Sequence, residues 1–139
     1  RSYRVAFINW TDSLSVGVSE MDNQHKRLIA MINDLSEAMK MGKGKEALGK
    51  ILSGLIIYTQ THFTAEEKYF EKYNYPLAPS HRREHATFVK KVSEVKTAFD
   101  AGKLSVTVET MNFLRDWLKN HIMGTDQKYT QFFNEKGLR

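Results

Sequence analysis

The chain contains five histidines, and helical periodicity would turn each of them toward an interior. Two pairs are tightly spaced: "HFTAE" sets His62 and Glu66 one turn apart, and "HRREH" does the same for His81 and His85. Residues four apart on an α-helix share a face, so each pair offers two ligand or acid–base groups to one point. His25 and His121 stand on separate segments, and Asp126 follows His121 in "HIMGTD". Five residues turn a regular helix through about 500°, so the side chains of His121 and Asp126 would diverge by roughly 140°. Gly124 between them reads as the point where the helix loosens or ends, letting Asp126 swing back inward from beyond the break.

One histidine on an apolar stripe is ordinarily a core residue satisfied by a backbone carbonyl, and an isolated HxxxH or HxxxE pair arises readily by chance. Five imidazoles and a carboxylate on the same set of stripes, with no histidine elsewhere, need a shared explanation. Each such group is costly to bury without a partner. Nucleophilic catalysis does not account for them, because the chain has no cysteine and Ser80 beside His81 carries no nucleophile motif. Metal binding does. Imidazole and carboxylate suit iron, copper, nickel or zinc, and the absence of thiolate argues against a structural zinc site.

The elements that must position these groups are helical. His25, Leu28, Ile32, Leu35 and Met39 form one inward stripe; Leu48, Leu52, Leu55, Thr59, His62, Glu66, Tyr69 and Tyr73 form a second. His81, His85, Phe88, Val92, Val95 and Phe99 make a third, and Met111, Leu114, Leu118 and His121 a fourth. Steps of three and four are the signature of amphipathic helices facing a core. "SEMD" has capping-box character before the first helix, and Ser105 is the expected N-cap of the fourth. "MGKG", "NYP" and "DAGK" supply the stops. The expected fold is all-α, a single domain over 1–139. An up-down-up-down four-helix bundle is expected, with helices near 20–41, 45–73, 78–100 and 105–122. Residues 1–18, with the loosely alternating "YRVAFINW", form an extended N-terminal arm. Tyr129 and Phe133 mark a short terminal helix near 126–135.

A length of 139 residues suffices for one domain with a real core. Lysine and arginine exceed the acidic residues, 21 against 16, but the two signs are interleaved along the chain. That pattern reads as solvated helix faces, and no nucleic-acid binding is expected. The longest uncharged run, 51–65, is short and contains Ser, Thr, Gln and His, so no membrane insertion of this domain is expected. A cytoplasmic monomer is expected. The first residue is arginine, which suggests a processed chain or a domain cut from a longer one.

With His25, "HFTAE", "HRREH" and "HIMGTD" assembled, the chain resembles the hemerythrin family, and most of all its bacterial domains. The likeness runs from Trp10 to about Tyr129 and includes "EMDNQHKRL", "YNYP" and "DWLKNHI". The family is itself a standard example of the four-helix bundle, so the resemblance implies that architecture directly. It also implies two non-haem iron ions with a bridging oxo or hydroxo group. His81, His85 and His121 would hold one iron, and His25 and His62 the other, with Glu66 and Asp126 bridging. Such a set fills all but one position of two octahedral metals, leaving the open one on the two-histidine iron for O2. Leu28, Phe63, Trp117, Leu118 and Ile122 match apolar pocket positions of the family, and the wall they would form has no spare acid or base. The implied function is reversible O2 binding, as carrier, store or delivery protein, with no catalytic residues and no enzymatic activity. An O2- or redox-sensing domain of a larger signalling protein, such as a chemotaxis receptor, is the alternative. A di-iron oxidase or peroxidase fits less well, since ferritin-like enzymes use four carboxylates and Glu-x-x-His pairs. Implied partners are O2 and either a signalling chain or an oxygen-using enzyme.

Overall fold

A computed structural model of the chain describes residues 7–43, 45–102 and 108–139. Four long helices, α1 (Ser19–Lys40), α2 (Lys45–Tyr73), α3 (Ala78–Asp100) and α4 (Val108–Asn120), account for most of it. The described residues contain no strand. α1 packs on α2, α2 on α3, and α1 on α4. Stacking of Phe88 on Trp117, with ring centroids 4.1 Å apart, joins α3 to α4 and closes the ring. The four stripes meet inside as expected, with Leu28, Ile32, Leu35, Leu52, Leu55, Phe88, Val92, Met111 and Leu114 all buried.

Sharp stops make the antiparallel turns possible. α2 ends where Asn74 takes a left-handed backbone (φ 55°), and the Tyr75 amide reaches back to the Phe70 carbonyl at 2.9 Å. This is a Schellman closure with asparagine where glycine is usual. Pro79 starts α3 in its first turn, where a missing amide proton costs nothing. The Ser105 cap lies outside the described residues. At the start of α1, the capping box expected from "SEMD" does not form, since the N-cap position is Val18 with no side-chain cap. Asp22 instead reaches back to accept from the Val16 amide at 2.8 Å and the Ser15 hydroxyl at 2.6 Å, tying down the arm.

The chain's ends sharpen two sequence expectations. The described part of the arm packs closely on the bundle. Ile8, Leu14, Val16 and Val18 are buried, and Asn33 pairs with both the amide and the carbonyl of Ile8 at 2.9 Å. The fourth helix loosens around Gly124 but does not end there. It passes into a π-helical turn (His121–Thr125), a 3₁₀ turn (Asp126–Tyr129) and α5 (Thr130–Glu135) without leaving helical backbone angles. The Asp126 amide donates to the carbonyl of His121, five residues back, as well as to Ile122. A π turn stacks residues five apart as an α turn stacks residues four apart. That is why the His121–Asp126 spacing is one residue too long for an ordinary helix.

The terminal segment then clamps the arm. Gln127, Thr130 and Asn134 donate to the successive carbonyls of Ser15, Val16 and Gly17 at 2.8, 2.6 and 2.9 Å. Gly17 is left-handed (φ 72°), and a Cβ there would lie 2.8 Å from the Thr130 methyl. Gly124 has no such constraint, and a Cβ added to it would meet nothing within 4 Å. Gly17→Ala should therefore destabilise the protein by about 1–2 kcal/mol from the backbone alone, with the clash added. Gly124→Ala should be neutral or stabilising by up to about 1 kcal/mol. Thermal melts of both variants check this, and a destabilised Gly124→Ala would restore the helix-break reading.

Candidate metal centre

The antiparallel order brings the start of α1, the end of α2, the start of α3 and the end of α4 to the same end of the bundle. There His25, His62, Glu66, His81, His85, His121 and Asp126 converge, each no more than 3% exposed. All five imidazoles turn Nε2 toward the two carboxylates. Glu66 Oε2 faces His62 at 3.5 Å and His25 at 3.8 Å, whereas Oε1 faces His85 at 3.2 Å and His81 at 3.8 Å. Asp126 divides in the same way. Its Oδ2 meets His25 at 3.1 Å, while Oδ1 meets His81 at 2.9 Å and His121 at 3.1 Å. Each carboxylate thus offers one oxygen to a two-histidine half and the other to a three-histidine half.

Three of the outward nitrogens are held by residues that were not evident in the sequence. Gln24 on α1 meets His62 Nδ1 at 2.5 Å, Glu67 on α2 meets His85 Nδ1 at 2.8 Å, and Glu84 on α3 meets His121 Nδ1 at 2.9 Å. Each stands beside a ligand candidate in sequence and supports the imidazole of the next helix round the ring. The oxygens of Glu67 and Glu84 only accept, and Gln24 faces its ring with an oxygen, so the Nδ1 atoms must donate. A neutral imidazole then has its lone pair on Nε2, aimed at the centre. Burial would raise the Glu84 carboxyl's pKa, but hydrogen bonds from Thr125 and His121 hold it below its usual value.

A cluster of inward lone pairs and carboxylates is a cation site by chemistry. His25 Nε2, His85 Nε2, Glu66 Oε1 and both Asp126 oxygens are buried without a hydrogen-bond partner. Two groups of these side chains bring their ligand atoms close enough to hold an ion: Glu66, His81, His85, His121 and Asp126, and His25, His62 and Glu66. Without metal, protons supply the positive charge. Burial pushes His25 toward the neutral form, but the carboxylates of Asp126 at 3.1 Å and Glu66 at 3.8 Å raise its pKa to about 9. Burial is the largest influence on His121 as well, but Asp126, Glu66 and Glu84 together outweigh it and raise its pKa to about 8. Burial dominates at His62 and lowers it to about 4. Burial also disfavours charge on Asp126, yet His121, His25 and His81 hold it well below the usual carboxylate range.

Rings line the walls. Phe63 stacks on His85 with centroids 3.7 Å apart and planes within 4°. Trp117 stacks on His121 at 4.4 Å. Phe63, Leu28, Leu118 and Ile122 are buried, whereas Trp117 keeps an exposed edge. The contact with His121 puts Trp117 against the three-histidine half. One hydroxyl stands beside the carboxylates, and it is already committed. Tyr129, fully buried, donates its hydroxyl proton to Glu66 Oε2 at 2.6 Å and lies nearly parallel to the His81 ring.

Comparison with known proteins gives the same picture. The hemerythrin HHE cation binding domain matches residues 16–133. A bacteriohemerythrin of Stenotrophomonas maltophilia is 37% identical over 125 residues, covering 90% of this chain and 80% of that protein. One from Methylococcus capsulatus is 35% identical, covering 90% of this chain and 95% of its own. The crystal structure of wild-type hemerythrin superposes with a TM-score of 0.87 at 34% identity, over 91% of this chain and 97% of that one. A family domain spanning most of the chain, relatives of this likeness and a shared bundle leave one assignment: the protein belongs to the hemerythrin family.

Proposed function

We propose that the protein binds O2 reversibly at a non-haem di-iron site, as an oxygen carrier, store or delivery protein. The observation that carries this reading is the division of both carboxylates between two groups of histidines. His81, His85 and His121 would hold one iron and His25 and His62 the other, with Glu66 and Asp126 offering an oxygen to each. When bound, a ferrous pair would supply the two electrons by which O2 is held reversibly.

The chain's own residues do the rest. Gln24, Glu67 and Glu84 fix the imidazole tautomers, and stacking by Phe63 and Trp117 fixes ring orientation. Leu28, Phe63, Trp117, Leu118 and Ile122 form the apolar wall that keeps water out. Glu67 and Glu84 are committed to histidines and Tyr129 to Glu66, so no free acid or base faces the pocket from these neighbours. That favours binding over oxidation chemistry, which needs protons delivered to oxygen.

Anaerobic reduction followed by O2 exposure should give a spectral change that reverses over several cycles, with two irons per chain and no haem. One zinc per chain and no iron, in protein expressed with iron available, would sink the reading.

A second expectation concerns pH in metal-free protein. His25 and His121 have folded-state pKa values above the ordinary value near 6.5, so they bind protons more tightly folded than unfolded. The stability they contribute is complete below about pH 6.5 and is lost as pH rises through 8 to 9. The melting temperature of metal-free protein should fall by several degrees across that window. Iron displaces those protons, so the loaded protein should not follow. A flat profile for the metal-free protein would contradict the assigned proton positions.

A further inference from the structure

The two halves of the site differ in more than their number of histidines. Behind the three-histidine half stand two carboxylates, Glu67 on His85 at 2.8 Å and Glu84 on His121 at 2.9 Å. Behind the two-histidine half stands an amide, Gln24 on His62, and each half keeps one unpartnered Nδ1, that of His25 here and that of His81 in the other. A carboxylate accepting from Nδ1–H draws the proton away and makes the opposite nitrogen a stronger donor; a neutral amide does so far less. The bridging carboxylate is biased in the same direction. Tyr129 donates to Glu66 Oε2, the oxygen that faces His25 and His62, and so spends part of its electron density. Oε1, facing His85 and His81, carries no such donor.

We propose that Gln24, Tyr129, Glu67 and Glu84 make the two metal positions electronically unequal, with the two-histidine position kept poor in electrons. This rests on the di-iron reading above and extends it. A metal with weaker donors holds its own electrons more firmly, so this position favours the ferrous state that O2 binding requires. The polar residues outside the ligand set thereby protect the open position from being left ferric. They act through the ligands and are positioning residues.

Isosteric exchanges test the idea without changing shape. In anaerobic redox titrations of iron-loaded protein, Gln24→Glu should lower the ferric/ferrous midpoint, and Tyr129→Phe should lower it too. Glu67→Gln should raise it. Gln24→Leu, which removes the acceptor, should weaken iron binding by about 10–100-fold. Opposite shifts for Gln24→Glu and Glu67→Gln support the proposal, since mere loosening of the fold would move both the same way. Equal or absent shifts with two irons still bound overturn it while leaving the oxygen-binding reading intact. Wild-type protein that takes up no iron pair overturns both together. A readout without metal comes from ¹⁵N NMR of the metal-free protein. His62 should carry its proton on Nδ1 and lose that preference in Gln24→Leu; a wild-type proton on Nε2 would overturn the arrangement.

Discussion

The molecule is organised around a set of lone pairs that water does not reach. Two carboxylates and five imidazoles meet where Asp126 and His25 are fully buried and Glu66 is 1% exposed. Two buried negative groups repel each other strongly in a medium of low dielectric, and neither can be left unpaired cheaply. Positive charge at the centre is therefore a condition of the fold. Protons on His25 and His121 meet it in the metal-free chain, and cations meet it better because one ion satisfies several donors at once. The rest of the core can then be plain apolar packing, from Leu28 and Ile32 down to Val92 and Met111.

Geometry follows from that requirement. α2 and α3 each supply two inward groups by ordinary four-residue spacing. α4 must deliver both a histidine and a carboxylate, and its carboxylate must reach two opposed groups of rings. The π turn provides this by adding one residue while keeping the backbone helical, and it re-aims everything after it. Tyr129 then lands on Glu66, and Gln127, Thr130 and Asn134 share the face that clamps residues 15–17. Arm and terminal helix together close the end of the bundle where the site lies.

Six of the seven converging residues were legible because polar groups on an apolar helical stripe are a conspicuous anomaly; Asp126, off the stripe, was legible only through its nearness to His121. Their supports were not. Gln24, Glu67 and Glu84 flank the stripes and remain partly exposed, so in sequence they resemble any solvated helix residue. The only signal was position: each adjoins a stripe residue, which turns it toward the neighbouring helix. Gly124 misled for a related reason. Glycine after a histidine reads as a helix end, but its backbone is helical and open to solvent, and the extra residue is absorbed by hydrogen bonding instead. The arm's burial was also hidden, since the partners that clamp residues 15–17 from the terminal segment lie more than a hundred residues away in the chain.

The order of the supports has a mechanical consequence. α1 steadies a ring on α2, α2 a ring on α3, and α3 a ring on α4. A helix that slid along its neighbour would carry its supporting oxygen away from the imidazole it holds, and the ring would tilt. Glu84 binds the last step doubly, accepting from both His121 and Thr125 and so bracing the π turn itself. The chain of supports stops there: His25 and His81 have no partner at Nδ1. Those two rings instead make close contacts to Asp126, at 3.1 and 2.9 Å, so the carboxylate that faces both halves holds them from inside. Rings held from outside and rings held from within thus share one carboxylate, whose placement depends on the π turn that Glu84 braces.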